Sequence, residues 1–202
     1  MGTERLERPR GRPRDPLIEE AILRAAHQRL AAEGYSRMTI GNVAADAGVT
    51  RPTVYRRWST KHDLVVDALD YRFRAEQAAY PPMDLDAMSA REAVIEAVRR
   101  ANPGGRSKTG ITLIGNVLAE SEHAPGFLDL VREHAVKPRR KRLLDTLRAV
   151  QARGGIRTDL DLDLFADLCM GTYFAAYVRT GEDNPNLPAR VVDTLWSTML
   201  AA

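Results

Sequence analysis

Residues 39 to 58, TIGNVAADAGVTRPTVYRRW, constrain the fold more than any other stretch of the chain. Two short helices can cross closely through a tight turn only with a small residue at the crossing, a glycine at the turn and apolar side chains facing inward. Ala44, Gly48, Val49 and Val54 meet those needs in order. Thr39 is a good N-cap for a first helix reaching Ala47, Gly48 offers the left-handed backbone for its exit, and a second helix follows from Thr50 and closes at Trp58. With Val54 set inward and about 100° turned per residue, Trp58 also points inward, Pro52 and Arg56 point outward, and Thr53 and Tyr55 lie on the flanks. This is a helix-turn-helix pattern whose outward face suits a DNA groove.

The rest of the chain reads as helix too. Asp15-Pro16 pairs an N-cap with a first-turn proline and starts a helix that sets Ile18, Ile22, Ala25 and Leu30 near one face and stops at Gly34. Thr60 to Asp63 has capping-box form and opens a helix to about Ala79. Tyr80-Pro81-Pro82 then breaks the chain and marks a domain boundary. Ser89 to Glu92 is a second capping box, followed by a polar loop from Asn102 to Gly110. Helices are expected near Ile111 to Ser121, Gly126 to Arg153, Asp163 to Thr180 and Pro188 to Ala201, with Pro138 kinking or splitting the second of these. No strand-like alternation of useful length appears. The expected fold is therefore all-α: a basic arm (1–15) that cannot bury a core and is disordered when unbound, an N-terminal three-helix helix-turn-helix domain (16–79), and a larger helical domain (83–202).

Charge is unevenly placed. The net charge of the chain is +3, and residues 1 to 14 alone supply that excess through five arginines against two glutamates. A second acid-free patch, Arg51, Arg56, Arg57 and Lys61, falls in and just after the motif, so the positive charge flanks the recognition element as in nucleic-acid binders. An enzyme finds no support: there is no phosphate-binding glycine loop, no G-x-S-x-G elbow and no H-E-x-x-H pair. Pro125-Gly126 separates His123 from His134, and Cys169 is the only cysteine, so no metal, cofactor or catalytic residue is expected. With no apolar run near the 18 or so residues of a membrane helix, the expected setting is the cytoplasm.

On the DNA reading, Arg56 reaches a base edge or phosphate, and Pro52 with the Thr53 methyl offers apolar contact to thymine. Tyr55, Thr39 and Lys61 suit phosphates, the helix start at Thr50 adds backbone amides, and Arg51 and Arg57 suit either role. In the arm, Pro9-Arg10-Gly11-Arg12-Pro13 is similar to an AT-hook, so Arg10, Arg12 and Arg14 either enter a minor groove or add only unspecific attraction. An architectural DNA protein is the alternative that rests on the arm.

Residues 16 to 76 resemble the DNA-binding domain of the TetR (tetracycline repressor) family. ILRAAHQRLAAEGYSRMTI matches its first helix and turn, VAADAGVTRPTVYRRW its helix-turn-helix, and STKHDLV the start of its fourth helix, with Leu30 and Trp58 where phenylalanine is commoner. The resemblance implies a transcriptional regulator, most often a repressor and sometimes an activator, that binds a palindromic operator on double-stranded DNA.

Residues 162 to 178 are apolar around most of a helix, which needs cover on more than one side. The last helix adds a further apolar stripe. The resemblance implies a symmetric four-helix homodimer interface here, with Phe174, Val178, Val192, Leu195, Trp196 and Met199 as candidates. It also implies a pocket for a small-molecule inducer among the middle helices. Phe127, Val131, His134, Cys169, Tyr173 and Tyr177 are the candidates for its lining, although core packing is the simpler account of each. The run Lys137 to Arg142, KPRRKR, reads as a solvated helix face.

Overall fold

The structure, a computed structural model, describes residues 15–103 and 109–200. Among them there is no strand; ten helices carry the fold. The first four are α1 (Pro16–Arg37), α2 (Ile40–Asp46), α3 (Arg51–Tyr55) and α4 (Lys61–Ala78). The Asp15 carboxylate accepts the Leu17 amide at 3.0 Å to start α1, and Thr39 Oγ1 accepts Asn42 N–H at 3.2 Å to start α2. Gly34 leaves helical geometry (φ 80°, ψ 176°), as its sequence position implied, and the chain takes one further turn to Arg37. Gly48 adopts φ 66° at the α2–α3 turn. The helix expected to run to Trp58 ends at Tyr55, three residues earlier, while Trp58 stays buried and donates its indole N–H to Asp67 at 2.7 Å.

Both expected capping boxes form, at Thr60–Asp63 and Ser89–Glu92. The second opens α5 (Ala90–Arg100), which is followed by α6 (Thr109–Glu120), α7 (Pro125–Val131), α8 (Lys137–Ala152), α9 (Leu162–Thr180) and α10 (Leu187–Met199). Between α7 and α8 lies a π-helical turn, Arg132–Val136, in which the Lys137 amide reaches back five residues to the Arg132 carbonyl. Pro138 lies at the start of α8, where its missing N–H is harmless, so the expected split takes the form of this wider turn.

Two apolar cores form, and they do not divide at Tyr80-Pro81-Pro82. The first joins Ile22, Leu30, Val43, Val54, Leu64 and Val65 of the head to Leu113 and Val117 of α6 and Phe127 and Val131 of α7. The second collects α5, α8, α9 and α10 around Val94, Leu147, Ala166, Val192 and Met199. Each large apolar side chain that α6 and α7 bury against the head contributes about 1.5–3 kcal/mol, so these helices belong energetically to the head. Tyr35 stacks on Phe127 with ring centroids 5.5 Å apart, and Asn116 Nδ2 donates to the Ala31 carbonyl at 2.7 Å.

Candidate nucleic-acid interface and adjoining cavity

Val54 and Trp58 anchor α3 from beneath, which leaves Arg51, Pro52, Tyr55 and Arg56 exposed on one surface. Thr53 is half-buried at its edge. Its hydroxyl lies 3.1 Å from Thr50 Oγ1 and accepts from Arg56 Nη2 at 3.2 Å, so a short polar chain runs along the α3 surface. The Arg51 side chain crosses Gly41, where a Cβ would come within 2.3 Å of its guanidinium. The Thr39 hydroxyl is engaged in capping at the nearby start of α2.

Two of the candidate DNA contacts turn inward instead. Lys61 donates Nζ to the carbonyls of Tyr35 (2.7 Å) and Met38 (3.2 Å) and lies 4.2 Å from the centre of the Tyr35 ring. Partial burial lowers its pKa. It therefore clamps the end of α1, which corrects the reading of Lys61 as a phosphate anchor. Arg57 is nine-tenths buried, donates to the Thr53 carbonyl at 3.1 Å and faces Glu19, so it supports α3 from within and is corrected likewise. Local charge pattern marks a cation but not the direction it takes. Arg10, Arg12 and Arg14 lie outside the described residues.

The far end of α6 grips the head. Glu120 accepts the Ser36 amide at 2.9 Å and the Ser36 hydroxyl at 2.7 Å, and its carboxylate occupies the space that a side chain at Gly34 would fill. The near end of α6 lines a cavity of about 280 Å³. Leu113, Ile114, Val117 and Leu118 of α6 share that wall with Leu128, Val131, Val136, Met170 and Phe174, and α1 and α4 close it with His27, Leu69, Arg72 and Glu76.

The polar residues of this wall form one cluster. Glu76 pairs through Oε1 with Arg72 at 2.9 Å and through Oε2 with Arg139 Nη2. Arg139 donates Nη1 to the Ala135 carbonyl at 2.8 Å and lies against the Phe73 ring. Burial, with Arg72 and Arg139 nearby, holds the His27 pKa down to about 4. Arg139 is buried, which corrects the reading of KPRRKR as a wholly solvated face. Its neighbours Lys137, Arg140 and Lys141 do pair at the surface, with Glu133, with Asp163 and Asp167, and with Asp145.

Of the six residues offered for a ligand pocket, only Val131 lines this cavity. Phe127 is buried beside Tyr35, and His134 Nδ1 lies 2.9 Å from Asp70 Oδ1, tying the π turn to α4. Cys169 and Tyr173 belong to the second core. Burial pushes the Cys169 thiol up to about 12 and raises the Tyr173 phenol, which donates to the Val98 carbonyl at 2.8 Å. Tyr177 is half-buried away from the cavity. The sequence did carry one signal that this reading passed over: Val65, Leu69, Arg72 and Glu76 share one face of α4, so an ion pair continues a buried apolar row.

The faces proposed for a partner subunit are also redistributed. Val192 and Met199 are completely buried within the chain and cannot meet a partner, and Phe174 turns to the cavity. Leu195 and Trp196 are half-buried, whereas Val178 is 85% exposed. Leu164 and Leu168, 56% and 50% exposed, continue from Val178 through the exposed small residues Gly171 and Ala175. Positions 164, 168, 171, 175 and 178 alternate steps of four and three, which makes one apolar stripe along α9.

A recognition helix exposed on a compact head, joined through a shared core to a helical body, defines a helix-turn-helix DNA-binding protein. Residues 22–68 match the model of bacterial regulatory proteins, tetR family, and residues 84–195 match the tetracyclin repressor-like C-terminal domain. The chain belongs to the TetR family of DNA-binding transcriptional regulators. It is 27% identical to the HTH-type transcriptional regulator YdeS of Bacillus subtilis, over 88% of this chain and 87% of that one. It is 29% identical to the DNA-binding transcriptional repressor TetR of Mycobacteroides abscessus, over 73% and 75%. The crystal structure of a TetR-family regulator from Rhodococcus sp. superimposes with a TM-score of 0.71 at 18% identity, covering 92% of this chain and 100% of that one. Among the described residues, no helix is long and apolar enough to cross a membrane.

Proposed function

We propose that the protein is a homodimeric repressor that blocks a promoter from the cytoplasm and leaves its palindromic operator when a small molecule fills the cavity. The observation that carries this reading is the shared wall: α1 and α4 of the head, α6 and α7 packed on it, and α8 and α9 of the second core line one space. An occupant that moves these helices apart changes the angle of the head, and only a ligand that favours one of two head positions can shift binding. Arg51, Pro52, Tyr55 and Arg56 present the reading surface, with Thr39, Thr50 and Thr53 beside it. The α9 stripe is the partner surface, because four apolar residues and a glycine in one row stand exposed among the described residues.

Selecting bound DNA from a random library tests the reading. It should return two inverted half-sites about one helical turn apart, or a multiple of that. Light scattering should give a dimer at micromolar concentration, and Leu168→Glu should give a monomer that binds the selected site far more weakly. A single half-site bound equally well by the variant would remove the dimer, and an affinity almost independent of sequence would favour an architectural binder.

A further inference from the structure

Apolar side chains cover most of the cavity wall, and its charged side chains are engaged with one another. Both oxygens of Glu76 are held, by Arg72 and by Arg139, and Arg72 has a further partner. Arg139 also gives Nη1 to the Ala135 carbonyl, and its Nε is sealed off. Arg132 pairs with Asp129. The remaining polar side chain of the wall, His27, differs from these. It is only 7% exposed, and neither ring nitrogen makes a hydrogen bond among the described residues. Neither nitrogen is sealed, however: the side-chain atoms there that are both sealed and unpartnered are Arg57 Nε, Gln77 Oε1 and Arg139 Nε. Burial and the nearby Arg72 and Arg139 keep the ring uncharged at neutral pH, so it offers one N–H donor and one bare acceptor nitrogen. A buried imidazole of this kind takes its hydrogen-bond partner from whatever fills the space beside it.

We propose that the occupant of this cavity is an uncharged, largely apolar molecule whose hydroxyl group hydrogen-bonds to the His27 ring and whose hydrocarbon lies against Leu113, Val117 and Phe174. This rests on the reading of the cavity as the effector site, and adds the class of effector. A hydroxyl suits either ring nitrogen, because it can accept from the N–H or donate to the bare nitrogen. An ion would lose its water and meet only charges that already have partners. An apolar cavity of roughly 150 Å³ takes up benzene, so about 280 Å³ has room for a ring with a short chain. His27 also borders a second, outer pocket lined by Arg24, Gln28 and Tyr71, whereas Ile114 of α6 lines the inner cavity alone.

Four probes on one skeleton test this with the full-length protein at neutral pH: 4-propylphenol, 1-fluoro-4-propylbenzene, 4-propylbenzoate and 4-propylbenzylammonium, titrated by calorimetry and by release of operator DNA. The phenol should bind about three- to tenfold more tightly than the fluoro compound, the range of one net hydrogen bond, and both ions should bind more weakly than the phenol. His27→Phe, which keeps a ring without nitrogen, should bring the phenol-to-fluoro ratio to about one, and His27→Gln, which restores a donor and an acceptor, should recover part of it. Should His27→Phe fail to fold, the parent protein supplies the same answer by nitrogen NMR: a ring resonance of His27 should shift as on hydrogen bonding with the phenol and stay in place with the fluoro compound. Equal binding of the phenol and the fluoro compound, an unchanged ratio in His27→Phe, unmoved ring resonances, or tighter binding of either ion overturns the hydroxyl assignment while leaving the cavity as a binding site. Ile114→Trp, which narrows the inner cavity alone, should weaken every probe that the parent binds by about tenfold or more. If it does not, the probes occupy the outer pocket or another place, and the effector-site reading falls with the proposal; binding of none of the four overturns the proposal as well.

Discussion

Gly34 and Glu120 should behave as one unit. At φ 80° and ψ 176°, Gly34 occupies backbone space open almost only to glycine, so alanine there costs about 1–3 kcal/mol before any contact is considered. Its Cβ would also lie 1.8 Å from Glu120 Oε1 and 2.8 Å from Cδ. The carboxylate must therefore swing away and release both of its bonds to Ser36. Those bonds are exposed, so together they contribute about 1–2 kcal/mol, less than buried bonds to a charged group. Gly34→Ala alone should then cost about 2–5 kcal/mol and Glu120→Ala about 1–2 kcal/mol. Once Glu120 is alanine, the contact part of the Gly34→Ala cost is already spent, and about 1–3 kcal/mol should remain. The coupling, about 1–2 kcal/mol, is measured by urea unfolding of the four proteins at pH 7 and one protein concentration, because the proposed dimer would link stability to concentration. An equal cost of Gly34→Ala in both backgrounds, within about 0.5 kcal/mol, would refute the reasoning.

Trp58→Phe should destabilise the protein by about 1–2 kcal/mol through loss of the 2.7 Å bond to Asp67, and adding Asp67→Ala should cost little more in the same unfolding assay. Lys61→Gln should lower the melting temperature yet leave the slope of operator affinity against salt unchanged, whereas Arg56→Ala should cost about 1–3 kcal/mol of specific DNA affinity with little change in melting. His27 has a folded pKa of about 4 against 6.5 in the unfolded chain, so protonation favours unfolding and stability should fall as the pH drops through that interval. The His27 contribution to that loss is about 2 kcal/mol at pH 5. His27→Leu should therefore weaken less than the parent protein between pH 7 and pH 5; equal losses would exclude His27 as the source.

What the sequence disclosed was governed by range. Asp15, Thr39, Thr60 and Ser89 act on amides two or three residues away, and Gly34 and Gly48 on their own dihedrals, so the helix starts and the turn were legible. The outward face of α3 followed from helical periodicity, because Val54 and Trp58 left only one side free. The cavity was not legible, since its wall runs from His27 to Phe174 and draws on six helices plus the π turn. The reach of Lys61 to Tyr35 and Met38 spans more than twenty residues, which no local charge count reports. The helix α9 was apolar nearly all round, so its pattern demanded cover without saying which residues the chain covers itself. Val192 and Met199 were assigned to a partner because a stripe on α10 has the same appearance whether it faces α5 or a second subunit.

The π turn sets the phase of everything after it. Each residue of a helix advances the face by about 100°, and this turn holds one residue more than ordinary winding would use, so the buried row Arg139, Leu143, Leu147 and Val150 owes its direction to that extra residue. Removing any one residue between 132 and 136 would restore continuous winding into Pro138, whose ring has no N–H for the carbonyl four residues back, and would swing the row by about 100°. A single-codon deletion here thus does what no point substitution in α8 can, turning Arg139 away from Glu76 while leaving the amino-acid sequence of α8 unchanged.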